Sequence, residues 1–77
     1  MDKKIKVIKA HGYVDSVLYD GCSYIVIHCY RDGTLRVMVL GTTWHELYTA
    51  KYSSKSYAVK KAKGMILTFV HAYRGTI

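Results

Sequence analysis

The chain contains no proline, only two cysteines, one tryptophan and one phenylalanine, and not a single acidic residue after Glu46. Without proline, and with 51% hydrophobic residues, it is neither a stiff linker nor a disordered tail. Two cysteines do not make a disulfide framework. Cys22 and Cys29 are separated by strand-like sequence, which would hold them beyond bridging distance on one strand. A reducing, cytoplasmic setting is therefore expected. No apolar run approaches the 18 or so residues of a membrane span, because the stretches around Ile25 and Val37 are broken by His28, Arg31, Asp32 and Arg36. Met1 to Gly12 carries lysines without a secretory apolar core, so no export signal is expected there. A chain of 77 residues buries only about 60% of its unfolded surface. Its one core is small, a large catalytic cleft is not expected, and binding a partner or pairing with a second copy would add stability.

What is abundant is positive charge. Twelve Lys and Arg against five Asp and Glu give +7, and residues 47–77 contribute +6 of it through Lys51, Lys55, Lys60, Lys61, Lys63 and Arg74. A field of that sign attracts phosphate backbones or acidic protein surfaces, and it also serves simply to keep a protein soluble.

The pattern predicts an α+β domain: a small antiparallel sheet of four to six strands with one helix packed across it. Lys4-Ile5-Lys6-Val7 alternates with period two and Ile8-Lys9-Ala10 breaks phase, so Lys3 to Ala10 is expected to be a bulged edge strand guarded by lysines. Tyr13 to Tyr19 is a second strand, closed by Asp20-Gly21. Cys22 to Tyr30 and Leu35 to Leu40 form a hairpin around Asp32-Gly33. A two-residue type I′ turn there would set His28 opposite Val37 and Val26 opposite Val39, and would leave both hairpin faces mainly apolar. Residues 43–52 fit a capped helix or a strand, with strand favoured by their Thr, Trp and Tyr content. Ser54 to Lys63 is the expected helix, capped by Ser53 or Ser54, packed through Ala58, Val59 and Ala62, and stopped by Gly64. Met65 to Tyr73 alternates as a last strand.

Chemical motifs stop short of completion. His45-Glu46-Leu47-Tyr48-Thr49 begins like a zinc-protease helix but has Thr49 where the second histidine must stand. No close cysteine pair supports a metal site, no base is placed beside Cys22 or Cys29, and the carboxylates are scattered. No enzyme activity, metal or cofactor is expected. Eight tyrosines are in part good strand residues. Tyr48, Tyr52 and Tyr57, interleaved with Lys51, Lys55, Lys60 and Lys61, also have the composition of a stacking surface among cations, or of an aromatic anchor within a cationic rim. The candidate binding residues are thus Lys51, Tyr52, Lys55, Tyr57, Lys60, Lys61, Lys63 and Arg74.

In size and composition the whole chain resembles small phage or mobile-element proteins that disable bacterial defence complexes, including anti-CRISPR proteins. That resemblance implies a stoichiometric inhibitor in the host cytoplasm, one that occupies a host protein or nucleoprotein effector so that nucleic acid or a nuclease cannot dock. The alternative expectation is direct DNA or RNA binding through the C-terminal cations, with a homodimer compatible with either.

Overall fold

A computed structural model describes residues 5–11 and 14–73. Five strands, β1 (Ile5–His11), β2 (Val14–Tyr19), β3 (Cys22–Tyr30), β4 (Thr34–Leu40) and β5 (Trp44–Lys51), are followed by one helix, α1 (Lys55–Ala72). The strands pair antiparallel in chain order, giving an α+β fold with β1 and β5 as edges. Lys3 and Tyr13, where the expected strands began, lie outside the described residues. The phase break in β1 is real: register shifts between Lys9 and His11. Residues 44–51 are a strand, and β5 carries its own irregularity where register shifts between Val37 and Met38 of β4. Both edges are thereby bent away from further pairing.

The central hairpin differs from expectation by one residue. Cys29 lies opposite Leu35, His28 opposite Arg36, Ile27 opposite Val37 and Val26 opposite Met38. The connection is Arg31-Asp32-Gly33, not the two residues of a type I′ turn, because only Gly33 adopts positive φ, at 94°, whereas Asp32 does not. The Gly33 amide donates to the Tyr30 carbonyl at 2.9 Å, and the Thr34 amide donates to Asp32 Oδ1 at 3.0 Å. One step of register exchanges the faces of β4 relative to β3. Ile25, Ile27, Cys29, Leu35, Val37 and Val39 consequently share the buried face, joined by Val17 from β2. Val26, His28, Arg36 and Met38 share the other.

The helix corrects a second expectation. Gly64 does not end it, and Met65–Tyr73 is not a strand: α1 runs 18 residues through Gly64 to Ala72. Ser54 caps the start, its hydroxyl accepting from the Tyr57 amide at 3.2 Å. Ala58, Ala62, Ile66 and Val70 recur every four residues and are all buried against the sheet. Burial of Ile66 and Val70, worth about 2 kcal/mol each, outweighs the roughly 1 kcal/mol that an interior glycine costs a helix. The two alanines let the helix backbone approach β2, β3 and β4 closely.

These contacts separate the glycines. A Cβ at Gly64 meets nothing within 4 Å, so Gly64→Ala should raise stability by about 0.5–1 kcal/mol. At Gly33 a Cβ would stand 2.1 Å from the Tyr52 carbonyl oxygen in a strained backbone, so Gly33→Ala should lose about 2 kcal/mol or more. Ala62→Glu, which places a charge where the side chain is fully buried, should cost about 3 kcal/mol or more. Urea unfolding of the three variants checks all three signs.

Candidate binding surfaces

Charge pairing sorts the candidate residues. Among the described residues every acid has a cation: Asp15 with Lys55 at 3.4 Å, Asp20 with Lys6 at 3.7 Å, Asp32 with Lys51 at 3.8 Å, and Glu46 with Arg36 at 2.8 Å. Lys51 and Lys55 are therefore drawn out of the expected cationic cluster. The Lys55 pair is the more enclosed, since Asp15 lies on the buried side of β2 and only 11% of its side chain is exposed. This contact joins the first turn of α1 to a strand 40 residues earlier. Tyr52 is also structural in large part: its amide donates to the Gly33 carbonyl at 2.8 Å and its ring meets Tyr57 edge-on at 5.5 Å.

Among the described residues Lys9, Arg31, Lys60, Lys61 and Lys63 have no acid partner, and three of these five lie on α1. Lys60, Lys61 and Lys63 are exposed on the outward side of α1, and among the described residues none of them meets an acid. Tyr57 is 42% exposed one turn earlier, with the Lys61 ammonium 5.4 Å from its ring centre. Tyr57, Lys60, Lys61, Gly64 and Met65 line one shallow depression, in which Gly64 leaves the helix backbone uncovered. Arg74 lies outside the described residues. Tyr48 packs near Phe69, with ring centres 6.4 Å apart, and closes the β5 end of the core.

The opposite side of the sheet holds a surface that the expected register had scrambled. Leu18, Val26, His28, Tyr30, Arg36, Met38 and Trp44 line one broad groove with no helix over it. Ser16 Oγ and His28 Nδ1 are 3.1 Å apart. Glu46 accepts hydrogen bonds from Thr49 and Arg36, and both hold its carboxyl below the ordinary carboxylate value. Burial, reinforced by the Arg36 charge, pushes the His28 imidazole below its usual value. A serine nucleophile would need His28 to become an imidazolium, which this setting disfavours, so the Ser16–His28 contact is better suited to orienting the ring.

His45 and Glu46 lie on a strand rather than a zinc-binding helix, and the Glu46 carboxylate is already engaged. Among the described residues no group of three or more His, Cys, Asp or Glu side chains is gathered as metal ligands. Both cysteines are free and buried, and burial together with Asp15 raises the Cys29 thiol to about 11, which keeps it protonated and unreactive at neutral pH. No helix among the described residues is long and apolar enough to cross a membrane.

His28 makes stability depend on pH in a definite direction. Its lowered folded value means the unfolded chain takes up the proton more readily, so its contribution is complete above the ordinary value of 6.5 and declines as pH falls from there toward the folded value. Urea midpoints measured across that window should fall on acidification, and His28→Gln should flatten the decline.

Set against known proteins, the chain matches no family model, no curated protein and no solved structure, which leaves its two surfaces as the basis for a functional reading.

Proposed function

We propose that the protein is a non-enzymatic inhibitor or accessory protein that docks on a larger protein or nucleoprotein assembly through the outward face of α1, in the manner implied by its resemblance to anti-CRISPR-type proteins. The observation that carries this reading is the concentration of unpaired charge on α1: with each described acid already paired, Lys60 and Lys61 stand unopposed beside the exposed ring of Tyr57, and Lys63 is exposed farther round the same helix. An aromatic ring among cations suits an acidic protein patch or a phosphate backbone held on a protein. Occupying such a place on a CRISPR effector would block nucleic acid or a nuclease from docking.

Direct binding to bare DNA or RNA is the second reading, and the pairing of Lys51 and Lys55 weakens it. Three phosphate contacts give a salt slope of about −2.7 on duplex DNA, half that expected if six cations were engaged. Affinity for bare duplex should accordingly be modest.

A purified effector ribonucleoprotein and a labelled duplex, each titrated with the protein, distinguish the two. Saturable one-to-one inhibition of target binding by the effector is expected, together with weak duplex binding. Lys60→Glu, Lys61→Glu and Lys63→Glu combined should lower the inhibitory affinity tenfold or more, by about 1.4 kcal/mol at least, while the melting temperature stays within a few degrees. Tight duplex binding with no effect on the effector would favour the second reading. Unchanged inhibition by the triple variant would remove the helix from both.

A further inference from the structure

We propose that the open face of the sheet is the seat of a second copy of this chain, forming a two-fold dimer with the sheets face to face and the helices outermost. The centre of that face is apolar, with Leu18, Val26 and Met38 side by side across β2, β3 and β4. Its margins are apolar too: Ile8 on β1 is 49% exposed and Trp44 on β5 is 45% exposed. Neither is covered by α1, which lies on the other side.

Charge favours this occupant. Of the cations on or beside the face, Arg36, Lys6 and Lys51 each stand by an acid, Glu46, Asp20 and Asp32, and Arg31, next to Tyr30 and Arg36, is the unpaired one. The face thus presents little net field, so it suits a phosphate backbone poorly. It is also where two copies of a +7 chain repel least, since Lys60, Lys61 and Lys63 point away from it. The molecule measures 33 × 29 × 19 Å. Two copies joined by their sheets would hold their helices about 30 Å apart, three layer spacings of about 10 Å, well beyond a screening length of about 8 Å at physiological salt.

Size agrees as well. A face within the 33 × 29 Å outline is on the order of several hundred Å², the scale of the approximately 800 Å² per partner of a standard stable interface. Packed sheets stand about 10 Å apart with strands inclined by about 30°, a spacing that Leu, Val and Met side chains fill. A one-helix, one-sheet domain of this length has little core of its own, and the second sheet would supply a second apolar layer.

Sedimentation equilibrium over about 1 to 100 μM, with the emission of Trp44 followed in parallel, tests the proposal. Trp44 is the sole tryptophan, so the wild-type protein should shift its emission to shorter wavelength with the same midpoint at which its mass doubles. Trp44→Glu and Ile8→Glu should each weaken the dimer tenfold or more, the first read by mass alone. Should Trp44→Glu fail to fold, Ile8→Glu, at an exposed edge position, decides. Lys60→Glu with Lys61→Glu should leave the dimer constant unchanged, and added salt should leave it equal or tighter. This response is opposite to that of the helix-face binding proposed above, so either proposal can fail without the other. A monomer at every concentration, a dimer indifferent to both face variants, or quenching of monomeric Trp44 by a single-stranded oligonucleotide would overturn it.

Discussion

Much of this structure depends on the close approach of two backbone segments at Gly33. Its positive φ ends the three-residue connection between β3 and β4, and its carbonyl accepts the Tyr52 amide just where the chain leaves β5 for the helix. A side chain there would occupy the space of the Tyr52 carbonyl. One glycine thereby sets the hairpin register and ties the turn to the entry of α1. From that register it follows that Leu35 and Val37 face the helix while Arg36 and Met38 do not. The Asp15–Lys55 pair and the Ser54 cap then hold the first turn of α1 against β2.

The same geometry partitions charge. The described acids pair with Lys6, Arg36 and Lys51 of the sheet and with Lys55 of the helix, so the excess is left on Lys9, Arg31 and the remaining helix lysines. A composition of +7 says only that a field exists. Three unopposed lysines on the outward side of an 18-residue helix say where much of it points. The molecule consequently has two unlike faces on opposite sides, one cationic beside the exposed ring of Tyr57, the other with most of its charges paired and half apolar.

Five strands were legible from β-forming runs separated by Gly-containing turns, and the helix start was legible from Ser54. The helix end was not. Gly64 is a local stop signal of about 1 kcal/mol, and what overrides it is burial of Ile66 and Val70 against residues remote in sequence. Met65, Leu67, Phe69, His71 and Tyr73 alternate as a strand would, so periodicity alone could not arbitrate. The register was missed for a similar reason: Asp32-Gly33 fits two turn lengths, and their difference is only the sign of φ at Asp32. Of the candidate residues, Tyr57, Lys60 and Lys61 line one depression on α1. The withdrawal of Lys51 and Lys55 was hidden, because their acids, Asp32 and Asp15, come from other strands. That both hairpin faces are apolar was legible in the sequence, but which residues stand on the open one was not until the register was known.

The order of the strands has a consequence for how the molecule is made. Each strand pairs with the one before it, so the sheet grows by successive hairpins, a low contact-order route in which each step closes a short loop. The helix is the exception. Its stripe from Ala58 to Val70 must reach back across β2, β3 and β4, and it emerges from the ribosome after all five strands. Until then Ile25, Ile27, Leu35 and Val37 line a finished sheet with no cover, the kind of transient apolar surface on which nascent chains stick to one another. A lysine-rich outer side on the covering element then does a second service, since it arrives with the element that covers the sheet and gives each newly closed molecule a charge that repels its neighbours.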